Sequence, residues 1–169
     1  MDPLSRIFGS PVRLKLLRLF TFNDDVPFTS ADAAFRARAS KDATRKELSV
    51  LLASGFVKKR TAKGPVAYVA NKKFPHYQAL AEFVRATTDI SDTDAIAALK
   101  RAGTLRLVAL SGLFTGAIES KIDLLVVGDK LEDKLLAGAV RALEAELGRE
   151  LRYASFTTEQ FRYSQGVYD

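Results

Sequence analysis

The chain has 169 residues, no cysteine and a single histidine, His76, which excludes disulfides, thiolate metal sites and most histidine chemistry. Its composition, 47% hydrophobic and 27% charged, is typical of a globular protein. No membrane span and no basic-then-apolar leader is recognisable, so we expect a cytoplasmic protein. The net charge of +6 is uneven: residues 1–75 hold 15 basic and 6 acidic residues, and residues 76–169 hold 11 and 14. This asymmetry predicts two units, of which the first faces a polyanion.

Three helices are predicted in the first 55 residues. Ser10 and Pro11 have the residue types of a helix cap and of a first helical position, and apolar residues follow at helical spacing. A second helix is predicted from Ala31 to about Ala37. A third begins after Ser40, which can cap it, and ends at Gly55.

A β-hairpin is predicted directly after the third helix. Residues 56–60 and 66–69 have the composition of strands, and the residues between them, 61–65, end in the turn-forming pair Gly64-Pro65. Three helices followed by a hairpin is the plan of a winged-helix domain, which we place at residues 1–74. The whole chain is then predicted to be α+β, with this domain at its N-terminus.

The third helix separates apolar from polar residues. Its leucines are expected to face inward, which leaves polar residues at four-residue intervals on the opposite side: Lys41, Arg45, Ser49. A helix fits the major groove of DNA, where Lys and Arg reach guanine edges and hydroxyls reach phosphates. We therefore expect double-stranded DNA to contact nine residues of the helix and the hairpin: Ser40, Lys41, Thr44, Arg45, Lys46, Ser49, Lys58, Arg60 and Lys63. The alternative is protein docking, which winged helices also perform.

The segment from Ser10 to Asn71 resembles the winged-helix domains of bacterial metal- and stress-responsive repressors. The residues that carry the resemblance are 48–57, a leucine-rich helix ending in Gly55 before a short apolar strand. The metal-binding branch of these repressors uses Cys or His ligands. Because this chain has no Cys and one His, we expect no metal sensing. No bound cofactor is predicted.

A helical connector is predicted over residues 75–103. Apolar residues recur at helical spacing from Tyr77 to about Thr87, and a second short helix ends before Gly103. An amphipathic connector can mediate dimerisation, and a homodimer would match a palindromic DNA site. The alternative is that the connector packs on its own domain.

The remaining residues, 104–169, are predicted to form a small α/β domain. Buried strands are expected at 105–110 and 122–127, followed by a helix that Gly148 ends, a third strand over 150–156 and a last helical turn containing Phe161. The order strand, strand, helix, strand implies a sheet covered by helices on one or both faces.

Gly112 follows the first of these strands and Asp123 lies on the second, an arrangement that resembles the minimal nucleotidyltransferase domain. In that family a Gly-Ser turn holds a nucleoside triphosphate, and two acids at i and i+2, with a third on a later strand, hold Mg²⁺. Here Leu113 replaces the serine and Lys121 replaces the first acid. The acid of the third strand, Glu150, lies at its very start, where it is a poor substitute for the third acid of the family. One carboxylate does not make a two-metal site, so we predict a domain without catalysis.

Residues 122–129, 143–150 and 159–163 look like a group of bacterial regulators in which a winged helix precedes such a degenerate domain. The resemblance implies a DNA-binding transcriptional regulator whose second domain serves dimerisation or ligand sensing. A nucleotide or another small anion would meet four residues: Ser111, Gly112, Lys121 and Asp123. Alternatively the domain is a scaffold in which Asp123 pairs with Lys121 or Arg106. An antitoxin-type interaction module and an active nucleotidyltransferase are the remaining alternatives; no membrane partner is expected.

Overall fold

The computed structural model describes residues 2–61, 63–116 and 119–166. Within these ranges the fold is α+β, with eight α-helices and two three-stranded sheets. The chain forms two compact units, Met1–Thr88 with Glu144–Arg149 and Asp89–Leu143 with Glu150–Asp169. None of the helices in the described part of the chain has both the length and the apolar composition needed to cross a bilayer.

The described residues between 2 and 88 form five helices of the first unit, and the three helices predicted for its first 55 residues are confirmed. Their bounds are α1 (Pro3–Ile7), α2 (Pro11–Phe22), α3 (Ser30–Ala37), α4 (Lys41–Ser54) and α5 (Tyr77–Thr87). The side chains of Ser10, Thr29 and Ser40 each accept a backbone hydrogen bond at the start of α2, α3 and α4. Gly55 ends α4 with a φ of 85°, in the left-handed region that favours glycine.

A three-residue turn, 38–40, joins α3 to α4. It is tight because Arg38 has left-handed backbone geometry, with a φ of 49°, and the next amide, that of Ala39, donates to the carbonyl of Ala34. Both helices pack on α2 around an apolar core that includes Leu16, Phe20, Ala33, Leu48 and Phe56. The turn and the core together set the direction in which α4 crosses its neighbours.

The sheet of the first unit has the strand order β1-β3-β2, with β1 (Phe28–Thr29), β2 (Val57–Arg60) and β3 (Ala67–Ala70) all antiparallel to their neighbours. The β2–β3 pair is the predicted hairpin. Val57 and Ala70 lie opposite each other and are buried in the core. Because side chains alternate along a strand, Lys58 and Arg60 are directed to the other, outer face of the sheet.

The segment predicted as a connector is divided between the two units. Helix α5 belongs to the first unit, where Tyr77, Ala81 and Val84 are part of the same core as α2 and α4. Helix α6 (Asp92–Leu99) belongs to the second unit and buries Ala95 and Leu99. Helix α5 therefore packs on its own unit, and dimerisation through this segment stays a prediction.

The second unit contains a sheet of order β4-β5-β6, formed by β4 (Thr104–Leu110), β5 (Leu124–Asp129) and β6 (Tyr153–Phe156). Strand β4 is antiparallel to β5, and β6 is parallel to it. Helices α7 (Asp133–Leu147) and α8 (Thr158–Gly166) follow β5 and β6. The prediction of a buried first strand was wrong: no residue of β4 is buried, and Leu107 is 41% exposed. Strand β4 is exposed because it lies at the edge of the sheet, whereas β5 is the buried central strand.

Candidate nucleic-acid interface

Helix α4 has one buried and one exposed side. Thr44, Glu47, Leu48 and Leu51 are buried, and they recur at helical intervals facing the core. Four of the residues predicted to contact DNA are exposed on the same helix: Lys41, Arg45, Lys46 and Ser49. The helix therefore presents a polar surface with three cationic side chains to solvent.

Thr44 is a correction to the predicted DNA contacts. Its relative exposure is 0%, and its hydroxyl oxygen has no hydrogen-bond partner. Thr44 precedes Leu48 by four residues and Leu51 by seven, which places all three on one side of the helix. Its side chain therefore faces the interior and is removed from the candidate interface.

A partly buried ion pair joins α4 to α2, and sequence reasoning missed it. Glu47, on the inner side of α4, accepts a hydrogen bond from Nε of Arg13 on α2 at 2.7 Å. The same guanidinium donates from Nη1 to the carbonyl oxygen of Phe8 at 2.7 Å. The sequence signal was a single acid among the inward-facing positions of a basic helix. This bridge resists rotation of α4 about its axis, so Arg45 and Lys46 remain directed outward.

Ser40 is exposed, but its hydroxyl is already engaged as the cap of α4, accepting from the amide of Ala43 at 3.2 Å. We expect Ser40→Ala to lower the free energy of unfolding by about 0.5–2 kcal/mol because this bond is lost. We expect Ser40→Asp to keep the stability, since Asp caps helices as well as Ser, yet to weaken DNA binding by adding a negative charge. Thermal unfolding and duplex titration of both variants check this. Equal DNA affinity for Ser40→Asp and wild type would place Ser40 outside the interface.

The hairpin carries the remaining predicted contacts. Lys58, Arg60 and Lys63 are all exposed, with Lys58 and Arg60 on β2 and Lys63 in the connection to β3. Among the described residues, one ion pair involves an outward-facing cation of α4: Arg45 lies 3.5 Å from Asp42. Both side chains of that pair are well exposed, so it holds Arg45 only weakly. The basic groups are therefore available to an anionic partner.

In the second unit, Asp123 is the centre of a closed hydrogen-bond cluster. It is 1% exposed and accepts four hydrogen bonds: from Arg152 Nε at 3.0 Å, Arg152 Nη2 at 2.9 Å, the Arg152 amide at 2.9 Å and the Leu113 amide at 3.0 Å. The guanidinium of Arg152 holds the pKa of this carboxyl below its usual range, against burial, which would raise it. The pairing of Asp123 with Lys121 or Arg106 was wrong: Arg106 pairs with Asp129 at 2.9 Å, and Lys121 is exposed.

Gly112 is required by this cluster. It has a φ of 51°, and a Cβ at this position would overlap the Oδ1 atom of Asp123. Nearby, the Ser111 hydroxyl donates to Ser120 at 2.9 Å. Three of the four predicted ligand residues thus lie close to one another: Ser111, Gly112 and Asp123. No family model, curated protein or solved structure matches the chain.

The residues around Asp123 do not fit the magnesium ions of the resembled family. Both carboxylate oxygens already accept two hydrogen bonds, and the adjacent charge is a guanidinium, which repels a cation. Among the described residues, no group of three His, Cys, Asp or Glu side chains is arranged to hold a metal ion. Arg152, which the sequence interpretation did not single out, provides the positive charge at this position.

Proposed function

We propose that the chain binds double-stranded DNA and acts as a transcriptional regulator of the winged-helix type. The single observation that carries the proposal is the exposed face of α4, where Lys41, Arg45 and Lys46 lie together on a 14-residue helix. A helix of this kind enters the major groove, and its Lys and Arg side chains reach base edges and phosphates. The α3–α4 turn and the Arg13–Glu47 bridge support the proposal because they hold that face in one orientation.

The β2–β3 hairpin is the second contact in this proposal. Lys58 and Arg60 extend from the outer face of β2, and Lys63 lies beyond the end of the strand. Cations at these positions can contact phosphate oxygens. Such contacts fix the register of a protein on the duplex but do not depend directly on the base sequence. In this arrangement α4 supplies specificity and the hairpin supplies affinity that depends on salt.

The second unit has, in our proposal, a nucleotidyltransferase-like origin without catalysis, and serves dimerisation or ligand sensing. The support is the Asp123–Arg152 pair. Two-metal transfer needs several free carboxylate oxygens, whereas here the one retained acid is bonded to a guanidinium and two amides. Incorporation of label from a nucleoside triphosphate with Mg²⁺, abolished by Asp123→Ala, would contradict this part of the proposal.

We expect the affinity for a duplex of about 20 base pairs to fall steeply between about 50 and 200 mM salt. The six cations of α4 and the hairpin are Lys41, Arg45, Lys46, Lys58, Arg60 and Lys63. If each neutralises one phosphate, the slope of log K against log salt is about −5, because each contact contributes about −0.9. Fluorescence anisotropy of a labelled duplex measures it. If the protein is folded but does not bind the duplex at low salt, the proposal is rejected.

Sequence specificity and dimerisation are tested by selecting genomic DNA fragments on the purified protein at two salt concentrations, followed by sequencing. A recurrent palindrome that survives the higher salt supports a specific homodimer, because a two-fold protein requires two half-sites. Uniform binding that disappears at higher salt would reject specific regulation and leave an electrostatic contact alone.

A further inference from the structure

The outer face of the first unit's sheet contains an open depression of about 540 Å³. Its size is within the range of ligand sites in proteins. Five basic residues and two acidic ones line it: Lys58, Lys59, Arg60, Lys72, Lys73, Asp24 and Asp25. The depression is separate from the exposed face of α4, since none of its lining residues belongs to that helix.

The strand register explains why the depression is basic. Val57 and Ala70 point into the core, so the adjacent pair, Lys58 and Val69, lies on the outer face. Arg60, two residues beyond Lys58, is on the same face. Lys73 follows β3 and is exposed. Within the described part of the chain, Lys58, Arg60 and Lys73 have no ion-pair partner, so their charges are uncompensated.

Lys72 differs from these three cations because it forms ion pairs with two acidic residues. Its Nζ atom lies 2.9 Å from Asp25 and 3.3 Å from Asp24, both in the segment after α2. Asp25 is 84% exposed and beside the depression, so its charge opposes an incoming anion while it also holds Lys72. The acids therefore reduce, but do not cancel, the positive charge of the depression.

We infer that this depression binds a phosphate group and that Asp25 limits the strength of that binding. A phosphate suits several ammonium groups together with the planar fork of a guanidinium. The inference rests on the proposed function in that the phosphate then belongs to the DNA backbone; a free nucleotide is the other source of the same chemistry. In either case, the depression extends the contact surface of the hairpin from Lys58 and Arg60 to Lys72 and Lys73.

The first test compares duplex binding of full-length variants by fluorescence anisotropy over a range of salt. Lys58→Gln/Lys73→Gln is expected to weaken binding about three- to tenfold and to reduce the salt slope by about 1.8, as two phosphate contacts are lost. Asp25→Asn is expected to strengthen binding about two- to fivefold, since it removes an exposed like charge and frees Lys72. Glu82→Gln, which neutralises an exposed carboxylate on α5, is the matched control and is expected to have a smaller effect.

The second test titrates tripolyphosphate into the ¹⁵N-labelled protein without DNA and follows the amide signals of Val69 and Ala70. Shifts that disappear in Lys58→Gln/Lys73→Gln would show that free phosphates bind. If tripolyphosphate causes no amide shifts but the double variant binds the duplex more weakly, the phosphate group that the depression binds belongs to DNA. If neither measurement responds to the double variant while wild type still binds duplex, the inference is overturned, and the proposed function stands with Lys58 removed from its phosphate contacts. Tripolyphosphate shifts without any duplex binding would reject the proposed function and keep the inference.

Discussion

Replacing Arg45 and Lys46 together by glutamine is expected to weaken duplex binding by roughly ten- to a hundredfold while the protein stays folded. Both side chains are exposed on the outer side of α4 and contribute nothing to the core. A well-placed Arg or Lys contact with a base is worth about 1–3 kcal/mol, and each 1.4 kcal/mol changes affinity tenfold. The slope of log K against log salt is expected to become shallower by about 0.9 for each of the two side chains that contacts a phosphate.

The matched control for this change is Lys134→Gln/Arg141→Gln on α7, which removes the same charge from two exposed positions. It is expected to leave affinity nearly unchanged, because it alters only the net charge. Circular dichroism and thermal unfolding check that both double variants are folded. Equal loss in the two would show that binding depends on net charge and not on α4. No loss in either would remove α4 from the interface.

The local structure of the first unit was largely readable from its sequence, because caps and spacing act over a few residues. Ser10, Ser40 and Gly55 define helix ends through hydrogen bonds and backbone geometry that each residue makes with its neighbours. Thr44 was misplaced because it is polar and adjacent to Arg45, which favoured the outer side. Its spacing from Leu48 and Leu51 was the better guide, since spacing decides which side faces the core.

Tertiary position was less predictable. An apolar strand can be central or at an edge, and the residues 104–110 do not distinguish these cases. Pairing decides it: β4 has one neighbour, and β5 has two. Arg152 was missed for the same reason, since its partner Asp123 lies 29 residues earlier. A signal was present in the sequence, because Arg152 is a basic residue in the predicted third strand, and an acid on another buried strand favours a basic partner.

Replacing Asp123 by asparagine is expected to destabilise the second unit by roughly 2–3 kcal/mol. The carboxylate is buried and bonded to the guanidinium of Arg152 and to two amides, and a hydrogen bond to a charged group contributes about 1.5–3 kcal/mol. An asparagine cannot accept all four bonds, since its amide nitrogen is a donor. For a unit of this size each kcal/mol lowers Tm by about 4–8 °C.

Hydrogen exchange measures this loss locally, because the amides of Leu113 and Arg152 both donate to the Asp123 carboxylate. Both are expected to exchange faster in Asp123→Asn. The control is Asp129→Asn in the same unit: Asp129 also pairs with an arginine, Arg106, but is much more exposed, so a smaller change is expected. If the two amides are equally protected from exchange in wild type and Asp123→Asn, the carboxylate does not hold the residues around Gly112 in place next to Arg152.

The effect of Asp123→Asn is also expected to depend on pH. Because Arg152 lowers the pKa of Asp123 in the folded state, the carboxylate binds fewer protons when folded than when unfolded. Its contribution to stability is therefore complete above the ordinary carboxyl pKa and is lost as the pH falls through the lower pKa of the folded state. The difference in unfolding free energy between wild type and Asp123→Asn should shrink in acid, as urea titrations from neutral pH to about pH 3 would measure. A difference that stays constant over that range would mean that packing, and not the charge of Asp123, is what the substitution disturbs.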